Sequence, residues 1–101
     1  MLVDKVLKEG GLVECLYKSS NILMSEWDSK SRSLIITFSY GGKYKYHDVN
    51  PKDYLRFEVD KSQGVVFNKH IKHHKTDNLG KVDVSELTER LNNLLKGWFY
   101  D

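Results

Sequence analysis

Leu34-Ile35-Ile36-Thr37-Phe38, then Ser39-Tyr40-Gly41-Gly42, then Lys43-Tyr44-Lys45-Tyr46-His47, is the stretch that decides the fold. The first five residues are β-branched or aromatic, as a half-buried strand requires. The paired glycines tolerate positive φ and so permit a tight hairpin. The last five alternate charge and ring with period two, which is the signature of a second strand. Tyr44 and Tyr46 share one parity, so both rings take one face of the sheet. Two such rings most often fill a core beneath a covering helix. The alternative is that these rings, with Tyr40, stack on bases while the lysines meet phosphates.

Downstream, Asn50-Pro51 opens a helix, with Asn capping free backbone donors and Pro at the first helical position. It is expected to run to about residue 61, to lay Tyr54, Leu55, Glu58 and Val59 against the hairpin, and to end at Ser62-Gln63-Gly64. Val65-Val66-Phe67-Asn68 leads into the basic run Lys69-His70-Ile71-Lys72-His73-His74-Lys75, followed by a polar linker over residues 76–81. Asp83 caps a last helix whose stripe is Val84, Leu87, Leu91, Leu94, Leu95 and Trp98, with Glu86 completing a capping-box-like start. Upstream, residues 28–33 form a polar turn. Residues 12–27 read as a strand interrupted at Ser19-Ser20-Asn21, where short polar side chains favour turns and bulges. Leu2, Val3, Val6 and Leu7 fall at helical spacing before Gly10-Gly11, which predicts a short helix with a glycine stop. The expected fold is α+β: a small antiparallel sheet of about three strands against a helix, plus a C-terminal amphipathic helix. The expected division is a helical leader over 1–11, an α+β core over 12–76, and a linker with its helix over 77–101.

Composition agrees with one small domain. The 101 residues are 40% hydrophobic and 30% charged, with a mean hydropathy of −0.54, which is ordinary for a folded chain with a well-charged surface. No apolar run approaches the roughly 20 residues of a membrane helix, and no signal-peptide pattern opens the chain, so a cytoplasmic protein is expected. The net charge of +2 is too small for a general nucleic-acid coat, so any anion-binding surface must be local. Residues 1–76 carry 13 Lys and Arg against 9 Asp and Glu, whereas residues 77–101 carry 3 against 5. That places the surface in the first three-quarters of the chain. Cys15 is the single cysteine; it has no internal disulfide partner and reads as a small apolar core residue.

Several segments together resemble the KTSC domain. They are Ser19-Ser20-Asn21-Ile22, Trp27-Asp28, the strand at 34–38, Gly42-Lys43-Tyr44-Lys45-Tyr46, Val49-Asn50-Pro51, Tyr54, and residues 62–71 from Ser62-Gln63-Gly64 to His70-Ile71. The resemblance covers about residues 19–75, and its specificity lies in the order of the pieces. The chain departs from the pattern at Trp27, where the family usually has Tyr, in an extra residue between Val49 and Pro51, and at Val66, where an aromatic often precedes Phe67. The family is named after a C-terminal extension of some lysyl-tRNA synthetases and is common as a stand-alone protein of bacteria and their phages. The resemblance therefore implies a small α+β module and nucleic-acid or tRNA-related work, although kinship of fold does not fix function.

Four groups of residues could carry that work. The run at 69–75 is the most unusual. If helical, His70, His73 and His74 share a face at a spacing that two imidazoles need to hold a metal, but a closed zinc site wants four ligands and only Asp77 is near. The preferred reading is a cationic surface of Lys69, Lys72, His73, His74 and Lys75, helped by Lys43 and Lys45, that recognises RNA, a nucleotide or another polyanion. Ser20, Asn21, Tyr46 and Asn68 are a candidate ligand groove of neutral hydrogen-bonding groups. Leu91, Leu94, Leu95 and Trp98 exceed what one small sheet must bury, so they either complete the core or meet a second copy or a host protein. No carboxylate pair, triad, phosphate loop or four-ligand metal set is legible. A non-enzymatic binding module without cofactor or metal, acting in a cytoplasm or, if phage-encoded, a host cytoplasm, is the expectation. The rival is a phage-type module that modulates a host protein through the C-terminal helix.

Overall fold

The computed structural model describes residues 1–100, and for residues 98–100 the backbone alone. Six strands form one antiparallel sheet in sequence order: β1 (Leu2–Leu7), β2 (Leu12–Tyr17), β3 (Ile22–Asp28), β4 (Ser33–Phe38), β5 (Gly42–Tyr46) and β6 (Thr76–Lys81). The expected α+β class is correct, but the sheet has twice the expected number of strands.

The difference arises at three places. Residues 2–7 are a strand, not a helix, because the spacing of Leu2, Val3, Val6 and Leu7 fits either period over so short a segment. Gly10 and Gly11, at φ of +78° and +80°, turn the chain back so that β1 pairs with β2. Ser19-Ser20-Asn21 is not a bulge inside one strand; it is the hairpin joining β2 to β3, where the Ser19 hydroxyl accepts from the Ile22 N–H at 3.4 Å. The polar residues 76–81 pair with β5, Tyr46 opposite Thr76 and Tyr44 opposite Asn78. Their own pattern does not announce a strand, and the open edge of β5 supplies the reason for one.

The expected hairpin is present, with Ile36 opposite Tyr44 and Leu34 opposite Tyr46. Gly41 sits at φ +102°, and a Cβ there would lie 2.6 Å from the Val82 carbonyl oxygen, so only glycine fits this turn.

Between β5 and β6 the chain crosses one face of the sheet. The Asn50 side chain accepts from the Lys52 N–H at 2.9 Å to cap α1 (Pro51–Val59). The face α1 buries is Tyr54, Phe57 and Glu58, while Leu55 and Val59 are exposed. The expected stripe was therefore rotated by part of a turn: positions 54, 57 and 58 lie together at i, i+3 and i+4. A second helix, α2 (Gln63–Val66), runs into a π turn (Phe67–Ile71). Beneath them lies the main core, with Trp27 stacked on Tyr54 at 4.5 Å between ring centroids and Tyr17 edge-on to Phe57 at 5.3 Å.

The opposite face carries α3 (Ser85–Tyr100). Asp83 caps it by accepting from the Ser85 N–H at 2.9 Å, as expected. Val84, Leu87, Leu91 and Leu94 pack on Leu16, Leu23 and Met24. Helices thus cover both faces of the sheet, and the central strands β2, β3 and β4 place apolar side chains on both sides. No helix among the described residues is long and apolar enough to cross a membrane.

Candidate functional site

The sheet separates the basic residues into two populations. Lys43 and Lys45 alternate with Tyr44 and Tyr46, and on the α3 face Lys43 Nζ lies 3.7 Å from Glu26. Two further cations on this side are matched, Lys8 to Glu14 at 2.7 Å and Arg90 to Asp4 and Glu14 at 2.5 and 3.8 Å, whereas Lys45 has no carboxylate within salt-bridge distance among the described residues. Lys43 therefore does not join the run at 69–75, because period-two alternation sends it to the far side of the sheet. Lys45, opposite Asp77 of β6, instead shares that carboxylate's surroundings with Lys75 at the end of the run.

The run itself lies on the α1/α2 side and then turns to the β6 edge. Its helix ends with the π turn at Ile71, so the three imidazoles do not share a face. His70 Nδ1 is 3.7 Å from Asp53 of α1, and His74 Nδ1 bonds the His47 carbonyl at 2.8 Å. His73 is exposed between them. Among the described residues no three His, Cys, Asp or Glu side chains are grouped as metal ligands. His74 instead fixes the turn, together with bonds from Lys72 N to Phe67 O at 2.8 Å and from His74 N to Ile71 O at 3.1 Å. Lys69, Lys72, His73 and Lys75 are all exposed on this fastened backbone, and none has a carboxylate partner among the described residues.

The expected neutral groove does not assemble from its four members. Ser20 lines an open cleft of about 530 Å³ with Met1, Lys18, Ser19, Lys61 and Ser62. Asn21 lies beside α2, its Oδ1 placed 3.6 Å from where a Gly64 side chain would begin. Asn68 is exposed on the π turn. Tyr46 is buried against Phe67, with ring centroids 5.4 Å apart, and burial pushes its phenol up to about 12. It is a core residue, as the same-parity argument for Tyr44 and Tyr46 anticipated.

Leu91 and Leu94 are turned onto the sheet, which uses much of the stripe to complete a second core. Leu95 is half-buried, and the side chain of Trp98 lies outside the described residues.

One buried network was not foreseen. Glu58, on the inner face of α1, accepts from Tyr54 Oη at 2.8 Å and from Cys15 Sγ at 3.5 Å, and pairs with Lys5 Nζ at 3.1 Å. Burial raises the Cys15 thiol, and it raises the Tyr54 and Tyr17 phenols as well. A thiol held protonated is a poor nucleophile, so the group acts as a satisfied polar core. The i, i+4 spacing of Tyr54 and Glu58 was the available signal, but nothing in the sequence placed Lys5 and Cys15 against it.

A model of the KTSC domain matches residues 18–74. The chain belongs to the KTSC domain family. The fold of this KTSC domain is similar to the crystal structure of the KTSC domain protein YPO2434 from Yersinia pestis, at a TM-score of 0.64 and 28% sequence identity, over 68% of this chain and 99% of that one. No curated protein matches the chain. The family-matched segment extends from the end of β2 to the basic turn. It contains β3, β4 and β5 with the two hairpins that join them, both helices of the α1/α2 face and most of the aromatic core, whereas β1, β2, β6 and α3 lie outside it.

Proposed function

We propose that this KTSC domain is a non-enzymatic binding module of the bacterial or phage-infected cytoplasm that takes a polyanion, foremost RNA, on the turn bearing Lys69, Lys72, His73 and Lys75. The observation that carries this reading is the contrast between the exposed lysines of the turn and Lys43. Lys43 on the α3 side already faces a carboxylate, whereas the three lysines of the turn face solvent. A phosphate meeting those lysines displaces only water and counterions. The turn is also held by backbone and imidazole bonds, so little order must be imposed on it at binding. His74 serves as a fastening and not as a contact.

Fluorescence anisotropy with a labelled single-stranded RNA at low salt tests the proposal. The triple substitution Lys69→Ala, Lys72→Ala and Lys75→Ala is expected to weaken binding by about tenfold or more. Lys43→Ala, which removes the lysine facing Glu26 on the α3 side, is expected to leave it nearly unchanged. Absence of RNA binding by the unaltered protein, or equal losses in both variants, overturns the reading.

A further inference from the structure

Tyr40 stands at the tip of the β4–β5 hairpin with 59% of its surface exposed, and yet its ring is held in place from several directions. Phe38 lies nearly parallel to it, at 5.9 Å between centroids and 21° between planes. The Tyr40 and Tyr44 hydroxyls are 3.3 Å apart. The ring also sits over the backbone of Gly42, where a Cβ would come within 2.5 Å of the ring and its hydroxyl. Glycine there is what lets the ring lie down on the strand. An exposed aromatic fixed in this way is a preformed surface, supported by Phe38 and the Gly42 backbone, with the mobile end of Lys81 the group over its ring.

The surroundings match a flat, anionic ligand. Tyr40, Gly42, Tyr44, Asn78, Gly80 and Lys81 line a shallow cleft of about 310 Å³. Lys81 Nζ is 6.0 Å from the Tyr40 ring centroid and has no carboxylate partner among the described residues. Asn78 Oδ1 accepts from the Gly80 N–H at 2.8 Å, which leaves its NH2 group available to a ligand. A ring to stack on, an amide to bond a base edge and a cation for phosphate are the parts by which proteins hold unpaired nucleotides. The cleft's volume lies at the lower end of the roughly 300–1,000 Å³ common for ligand sites, which suits one nucleotide.

Position adds to the chemistry. Tyr44 shares the α1/α2 side of the sheet with the basic turn. From Tyr40 the rings lead through Phe38 to Phe67, the first residue of the π turn, in steps of 5.9 and 5.6 Å. We infer that Tyr40, Tyr44, Asn78 and Lys81 form a base-stacking subsite for single-stranded nucleic acid whose neighbouring phosphates reach the basic turn. This inference rests on the polyanion reading and adds to it a requirement for an unpaired base.

The test compares labelled hexauridylate and hexaadenylate with inorganic polyphosphate of similar charge, using the full chain. Tyr40→Ala is expected to weaken both oligonucleotides by about tenfold and to leave polyphosphate binding unchanged, while Tyr40→Phe, which retains the ring, is expected to bind like the unaltered protein. If Tyr40→Ala binds the oligonucleotides normally, the stacking subsite is overturned while the polyanion reading stands; if polyphosphate binds and the oligonucleotides do not, the subsite falls together with RNA as the ligand. If neither probe binds, both fall. Tyr40 is exposed, so its substitution leaves the fold in place, which circular dichroism verifies.

Discussion

Cys15, Tyr54 and Tyr17 show how burial turns ordinary side chains into conditions on stability. All three are kept protonated in the folded chain, chiefly by desolvation of the charged form. The unfolded chain releases the same protons near the reference values of 9.0 for the thiol and 10.0 for a phenol. The folded state therefore binds more protons above that range, and its stability falls as pH rises. The contribution is fully present below about pH 9 and is lost progressively above it. Urea midpoints at about pH 7.5 and about pH 10.5 are expected to show a clear drop. Phenolate absorbance is expected to report Tyr17 and Tyr54 only once the chain unfolds; equal midpoints would count against this account. Phe57 is fully buried against Tyr17, and Phe57→Ala is expected to cost about 3–5 kcal/mol in denaturant unfolding. A loss below about 1 kcal/mol would mean the site collapses around the gap.

Elements add constraints that single residues do not carry. The β4–β5 hairpin turns through Gly41, where positive φ and the nearby Val82 carbonyl both exclude a side chain. Gly41→Ala is accordingly expected to destabilise by more than about 1 kcal/mol, with the unfolding midpoint as the measurement. A neutral result would show that the turn adopts another backbone path. In α3, Leu91 is half-buried on Leu16, Leu23 and Met24. Leu91→Ala should lower stability by about 2 kcal/mol, at the small end of the range for buried leucine. A partner-facing Leu91 would instead show unchanged stability. Arg90→Ala, which breaks a surface pair to Asp4 and a long 3.8 Å contact to the buried Glu14 that Lys8 still neutralises, is expected to change it by under about 1 kcal/mol.

At the scale of the molecule, the sheet acts as a partition. α3 and the pairs made by Lys8, Lys43 and Arg90 occupy one side; the helical crossover, the ring system and the unpaired lysines of the basic turn lie on the other and at the sheet's β6 edge. If three to four phosphates are neutralised there, the logarithm of the binding constant should fall against the logarithm of salt with a slope of roughly −2 to −3. A slope near zero would indicate neutral recognition and remove phosphate from the account.

The β4–β5 hairpin, the Asn50-Pro51 start of α1 and the Asp83 cap of α3 were all legible because each is local: a period, a turn or a cap lies within a few neighbouring residues. So was the family, because its pieces recur in a fixed order. The segments at 2–7 and 76–81 were not legible as strands, since a short apolar spacing fits two periods and a polar edge strand is defined by the neighbour it pairs with. The same limit applied to the site. The sequence determined that the lysines at 69–75 cluster and that Tyr44 and Tyr46 share a face. Only the tertiary structure decided that the sheet stands between Lys43 and the basic turn, that His74 fastens the turn, and that Tyr40 meets Asn78 and Lys81. Contacts between distant residues follow from how strands align across the whole sheet, and no local stretch of sequence contains that information.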